Sequence, residues 1–284
     1  MTDLPSRPFA LPDLRVVSVE ALIPHERHDD HRMGPLVERL RSQAVLRNPP
    51  IVTPLHGGAE QYVVLDGANR SEAARELGLP HFIVQVVRYE EPEVRLLTWN
   101  HALAGVDPAA LFAMLSSVPG ISCSKETPSH ARALLARREI LAYAASPGDH
   151  AIGLSAPGDF AEQNRALNRI VERYRETTRV YRVGSDSVAA ALERIPDAQA
   201  IVVFPRYAPA EVLELAATGE RVPAGITRHL VSWRALRINL PLEFLADRKT
   251  PREEKQDWLR AWMRERVEQG SVRFYEESTV LFDE

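Results

Sequence analysis

The stretch from Gln61 to Gly78 holds the densest chemistry in the chain. The apolar run Val63-Val64-Leu65 leads at once into Asp66-Gly67-Ala68-Asn69-Arg70, and Ala73, Ala74 and Leu77 then share one helical face. A strand therefore delivers a carboxylate, a glycine and an arginine to the first turn of a helix. Unpaired N–H groups and the positive end of the helix dipole stabilise an anion at such a turn. Gly67 lets the backbone approach the anion closely, and Arg70 can add a bidentate contact. Asp66 beside bound phosphates suits a magnesium ligand or a handle on a reacting proton. The local pattern fits equally well a capped helix in which Asp66 or Asn69 satisfies backbone donors and Arg70 is solvated.

The elements that must position this turn read as alternating strands and helices. The 284 residues suggest one large or two medium domains, with 45% apolar and 26% charged residues in the range of folded proteins. A formal net charge of −4 argues against a protein built mainly to neutralise nucleic-acid phosphates. The single cysteine, Cys123, excludes an intrachain disulfide and a cysteine-rich zinc site, and it fits a reducing compartment. With no signal-peptide-length apolar run in Met1 to Leu14 and no apolar stretch long enough to span a bilayer, a cytoplasmic protein with no membrane partner is expected.

Periodicity predicts strands at Leu14 to Val19, Ile51 to Thr53, Gln61 to Leu65, His81 to Arg88 and Val94 to Trp99, with His56-Gly57-Gly58 as a turn. A helix from Pro35 to about Ala44 is expected, and another after Arg70 that ends at Gly78. Beyond Asp107, helices are expected over Pro108 to Ser116, Pro128 to Ala145, Phe160 to Arg175, Ser187 to Ile195 and Pro209 to Ala217. Strands are expected at Arg179 to Val183 and Ala200 to Phe204, an extended stretch at Leu230 to Leu240, and a last strand at Val280-Leu281-Phe282. Pro119 to Pro128 reads as a loop, and Thr250 with Glu253 as a capping box for the helix carrying Trp258 and Trp262. The expected architecture is α/β, with residues 1–105 as one domain and 106–284 as a second.

The segment Asp66 to Gly78, DGANRSEAARELG, resembles the Gly-x-x-Arg box of the ParB/sulfiredoxin superfamily, in which this turn binds nucleotide phosphates. The flanking chain is similar to one branch of it. Ile23-Pro24-His25-Glu26, Leu46-Arg47-Asn48-Pro49-Pro50-Ile51-Val52, Val64-Leu65-Asp66-Gly67-Ala68-Asn69-Arg70 and Gln85-Val86-Val87-Arg88-Tyr89 resemble the free L-serine kinases, including the siderophore-cluster members. In the second half the resemblance rests on Ala224-Gly225-Ile226-Thr227-Arg228-His229 and Arg234-Ala235-Leu236-Arg237-Ile238-Asn239. Sulfiredoxin chemistry itself is excluded, because Ala68 stands where that turn needs its cysteine.

The resemblance implies a ParB/sulfiredoxin-like N-terminal domain, a C-terminal α/β domain completing the substrate site, and phosphorylation of free L-serine to O-phospho-L-serine. Its partners would be L-serine and an adenine nucleotide, ATP or ADP, with Mg²⁺ as cofactor. No Gly-x-x-x-x-Gly-Lys-Ser/Thr loop is present, so Gly67, Ala68, Asn69 and Arg70 would cradle phosphate instead. An alcohol is a poor nucleophile and needs a base, for which Glu26 in the Pro-His-Glu loop is the candidate. Asp66 would bind the metal or assist proton transfer. Thr227, Arg228 and His229, with Trp99, would position the amino acid. The run His25, Glu26, His28, Asp29, Asp30, His31 has no spacing that organises a dedicated transition-metal site. The alternative is a nucleotide-responsive DNA-binding regulator of the ParB type, for which Arg165, Arg169, Arg173 and Arg175 are candidate phosphate contacts. Glu162 and Glu172 interrupt that face, so nucleic acid is the less favoured partner.

Overall fold

Strand Leu14–Ser18 alternates buried and half-buried residues, as one face of a sheet requires. The computed structural model, which describes residues 11–27, 30–55 and 60–274, places it at the edge of a five-stranded mixed sheet. The order continues through His81–Val86, Ile51–Leu55 and Gln61–Asp66 to Leu22–Pro24. His81–Val86 pairs antiparallel with Leu14–Ser18 and parallel with Ile51–Leu55, and Ile51–Leu55 pairs antiparallel with Gln61–Asp66. Val16, Phe82, Val84, Val52 and Val64 from these strands share one apolar core with Ala73 and Ala74 of helix Ala68–Glu76.

The same core takes Leu240, Leu242, Leu245 and Leu259 from the far end of the chain. Helix Arg252–Glu268 also serves the exposed edge of strand Leu14–Ser18. The Gln256 amide accepts the Val16 N–H at 2.7 Å and donates to the Leu14 carbonyl at 3.3 Å. The division of the chain consequently differs from the one expected. One compact unit comprises residues 1–22, 30–93 and 231–284, and the other residues 23–29 and 94–230. The boundary expected near residue 105 falls at 93/94, and the last stretch belongs with the first unit because its leucines complete that unit's core.

The second unit is built on a six-stranded sheet in which every pairing is antiparallel. Its order is Arg179–Val183, Asn100–Ala104, Ala198–Val203, Ala142–Ser146, His150–Ser155, Ser122–Glu126. Helices cover both faces. Leu103, Ala144, Val202 and Leu154 pack with helices Pro108–Ser116, Phe160–Arg175 and Pro209–Ala217. Ala102, Tyr143, Ala145 and Ile201 pack with helices Pro128–Ala136 and Val188–Arg194. The chain is thus a mixed α/β protein. Among the described residues no helix is long and apolar enough to cross a membrane.

Several local expectations are corrected. The helix expected over Pro128 to Ala145 ends at Ala136, and Ala142–Ser146 is a strand. A strand buried on both faces shows no polar alternation, and its Ala-Tyr-Ala-Ala run has helical propensity that sheet packing overrides. The loop expected at Pro119 to Pro128 contains edge strand Ser122–Glu126, and strands His150–Ser155 and Leu240–Pro241 and helix Leu242–Ala246 were not foreseen. The helix expected from Pro35 begins at Asp30, with Pro35 inside it. Thr250 makes no capping box. Its hydroxyl donates to Asp247 at 2.5 Å, and Pro251 occupies the N-cap. The turn at His56 to Gly58 and the strand at Val280 to Phe282 lie outside the described residues.

Candidate functional site

Two clusters carry the candidate residues, one in each unit. In the first, strand Gln61–Asp66 runs into Gly67 at the N-cap of helix Ala68–Glu76, with φ +90°. A Cβ on Gly67 would lie 2.8 Å from Arg70 Nη2 and 3.1 Å from Pro50 Cα, so with its positive φ the turn strongly favours glycine. Glycine brings no side-chain cap, and the first helical turn contains no acid. The helix end therefore keeps its affinity for an anion.

Asp66 does not cap the first helical turn as in the bland alternative, because its carboxylate faces arginines. Arg234 donates to Asp66 Oδ2, and Arg70 Nη2 lies 3.6 Å from the same oxygen. Burial pushes this carboxyl up, but the charges of Arg70 and Arg234, with hydrogen bonds from Arg234 and the Gly67 N–H, outweigh it. The net result lies below the ordinary carboxylate range. Ala68 and Asn69 form the first two residues of the helix, half-buried beside Arg70.

The second cluster surrounds Glu26. Residues 25–27 run beside Val222, whose N–H donates to the His25 carbonyl at 2.9 Å and whose carbonyl accepts the Arg27 N–H at 3.0 Å. This clamp fixes the backbone on both sides of Glu26. Its Oε2 accepts the Gly225 N–H at 3.1 Å and the Thr227 hydroxyl at 3.0 Å. His25, 1% exposed, reaches the same hydroxyl through Nε2 at 2.7 Å. A carboxylate only accepts, so Thr227 donates to Glu26 and must accept from a protonated His25 Nε2. The Thr227 hydroxyl thereby links Glu26 to His25.

Gly225 is itself held from behind. His101 Nε2 lies 3.2 Å from the Gly225 carbonyl and Nδ1 lies 2.5 Å from the Tyr174 hydroxyl. His101 is fully buried on strand Asn100–Ala104, and burial drives its pKa down to about 3. Burial likewise holds the Tyr174 hydroxyl protonated. Tyr174 therefore donates to Nδ1, and neutral His101 donates from Nε2 to Gly225. His101 was not among the candidate site residues read from the sequence. Its tie to Tyr174 and Gly225 spans separations of 73 and 124 residues and left no local signal.

This arrangement has a pH signature. Between about pH 6.5, where an unfolded histidine titrates, and about pH 3, the unfolded chain binds a proton that folded His101 refuses. Stability is present above that window and falls as pH drops through it, by about 1.4 kcal/mol per pH unit for this one group. Urea midpoints from pH 7 to 4 should show His101→Gln losing stability with a slope one proton smaller than the parent. Equal slopes would mean that His101 titrates normally in the folded chain.

Strands Val94–Thr98 and Thr227–Val231 pair next to this cluster, with the Trp99 N–H donating to the Ile226 carbonyl at 2.8 Å. They bring Arg228 over the Trp99 ring, 4.1 Å from its centroid. That contact holds the guanidinium plane against the indole. His229 meets His25 edge-on at 5.1 Å. Glu26, Thr227, Arg228, His229 and Trp99 thus come together in the second unit, and Asp66, Gly67, Ala68, Asn69 and Arg70 in the first. Sequence reading missed Arg234 as a partner of Asp66, although its segment was among the family-like motifs. Of the arginines considered for DNA, Arg165 pairs with Glu220 and Arg173 with Glu176. His28 and Asp29, and the side chains of Asp30 and His31, lie outside the described residues.

No protein-family model matches the chain. It is 28% identical over 236 residues to the ATP-dependent L-serine kinase of Staphylothermus marinus, across 81% of this chain and 90% of that one. Over most of its length the chain is thus similar to a free L-serine kinase. It is also 22% identical over 245 residues to the ADP-dependent L-serine kinase SerK of Thermococcus kodakarensis, across 86% of this chain and 96% of the relative. The two similar kinases thus differ in the donor for which they are named, ATP in one and ADP in the other. A free serine kinase solved in complex with AMP superposes with a TM-score of 0.72 at 17% identity, covering 84% of this chain and 96% of the other, which establishes the shared fold.

Proposed function

We propose that the protein phosphorylates free L-serine from an adenine nucleotide, with Glu26 as general base. The observation that carries this reading is the asymmetric holding of Glu26. Two donors pin Oε2, which leaves Oε1 as the oxygen to accept a hydroxyl proton. Gly67, Ala68, Asn69 and Arg70 hold the nucleotide phosphates at the open helix end. Arg228, backed by Trp99, receives the serine carboxylate, and His229 lies beside it. The similarity to kinases of both donor types supports the activity without selecting ATP or ADP.

Among the described residues no group of three or more His, Cys, Asp or Glu side chains could hold a resident metal ion. An Mg²⁺ that arrives on the nucleotide needs few protein ligands, and Asp66, kept ionised by its arginines, fits as its one carboxylate. When bound, the ion neutralises phosphate charge during transfer. The test is ³¹P NMR of the purified protein with Mg²⁺, ATP or ADP, and a panel of amino acids. A phosphomonoester resonance that appears only with serine is the expected result, and turnover with no amino acid dependence would overturn the assignment.

A further inference from the structure

We infer that residues 232–239 form the base-side wall of the nucleotide site, with Trp233 stacking on the purine and Arg234 transferring from Asp66 to the phosphates. This rests on the phosphate-binding role given to the Gly67 turn. Trp233, Arg237 and Asn239 all adopt left-handed backbone, at φ +58°, +53° and +49°. Three non-glycine residues in that region within seven positions are disfavoured, most of all for an indole, and such conformations persist only where neighbours enforce them.

The enforcing neighbours are specific. Gln85, 3% exposed, donates from Nε2 to the Trp233 carbonyl at 3.0 Å and accepts the Ala235 N–H through Oε1 at 2.8 Å. One buried amide therefore grips the backbone on both sides of Arg234. Asn48 accepts the Arg237 N–H at 2.9 Å, and the Arg47 carbonyl accepts the Ile238 N–H at 2.8 Å.

Two side chains are presented by this grip. Arg234 reaches the Asp66 carboxylate at the phosphate turn, and Trp233, one residue before it, stays 46% exposed with its ring tilted against Phe274 at 5.7 Å. A partly exposed guanidinium on a carboxylate is a weak, exchangeable contact, and a polyphosphate offers the same fork more negative charge. A large exposed aromatic one residue from a phosphate-seeking arginine suits a flat, uncharged group joined to that phosphate. A purine is such a group, and base–aromatic stacking contributes to nucleotide affinity. Gln85 acts here as a positioning residue.

The experiment is calorimetric titration of the full chain with ADP and with adenosine, alongside tryptophan fluorescence. Trp233→Ala should weaken both ligands about tenfold, while Trp233→Phe should retain affinity and abolish the fluorescence change that ADP is expected to produce in the parent. Arg234→Gln should weaken ADP by a similar factor and leave adenosine unchanged. Gln85→Leu should weaken ADP while the KM for serine stays the same. Parent-like ADP affinity in both Trp233→Ala and Arg234→Gln would overturn the inference while leaving the phosphate turn intact. An absence of ADP binding to the parent would overturn the phosphate turn, and this wall with it.

Discussion

Glu26→Gln should lower the turnover of serine phosphorylation by about 10²- to 10⁴-fold, the range expected when a positioned base is removed. Glutamine matches glutamate in size, and its amide oxygen can still accept from the Gly225 N–H and the Thr227 hydroxyl. The lost property is confined to the second terminal atom, which becomes an NH₂ donor and can no longer take a proton. Folding stability and ADP affinity should therefore stay close to the parent values. Single-turnover measurements with serine, paired with ADP calorimetry, separate these quantities. A rate within a few-fold of the parent would move the base elsewhere, and an equal loss of rate and ADP affinity would mark Glu26 as a binding group instead.

Gly67→Ala should weaken ADP binding by tenfold or more and lower the melting temperature by a few degrees. The backbone there sits at φ +90° and ψ 28°, which an L side chain tolerates at a cost of about 1–3 kcal/mol. The added methyl would press on Arg70 Nη2 at 2.8 Å and on Pro50 Cα at 3.1 Å. The arginine tip can swing away, but in doing so it leaves the phosphate position, and the Pro50 backbone cannot move as readily. Gly78→Ala is the control. It sits at φ +66° at the other end of the same helix, where a Cβ meets only Arg248 Nη2 at 3.9 Å. Backbone strain is common to both variants, so a loss of ADP affinity confined to Gly67→Ala isolates the site. Equal affinity in the two would remove the turn from nucleotide binding.

The parts legible in the sequence are those set by neighbours in the chain. Helices Pro108–Ser116, Phe160–Arg175 and Pro209–Ala217 were bounded correctly, because each opens on a proline or a capping acid and keeps one apolar face. The turn after Asp66 was legible for the same reason. Strand Ala142–Ser146 was not, since burial on both faces erased the alternation that marks a strand. At the site, Glu26 and Thr227 were each singled out, but their hydrogen bond joins positions 201 residues apart. The same distance problem hides His25 as a donor to Thr227, Arg234 as a partner of Asp66, and Gln85 as the clamp on the loop beside it. Residue type marked candidates for chemistry, and tertiary packing decided which of them meet.

The interleaving of the two units bears on the order in which the protein can assemble during synthesis. The inserted unit has all its strands once residue 230 has left the ribosome, whereas the flanking unit still lacks Leu240, Leu242, Leu245 and Leu259. The nascent flanking unit must therefore wait, with Val16, Phe82 and Val84 uncovered, until a late helix arrives to seal it. A nascent chain arrested with residue 230 outside the ribosome and residue 259 still inside it should accordingly carry a protease-resistant insert beside a protease-sensitive flank.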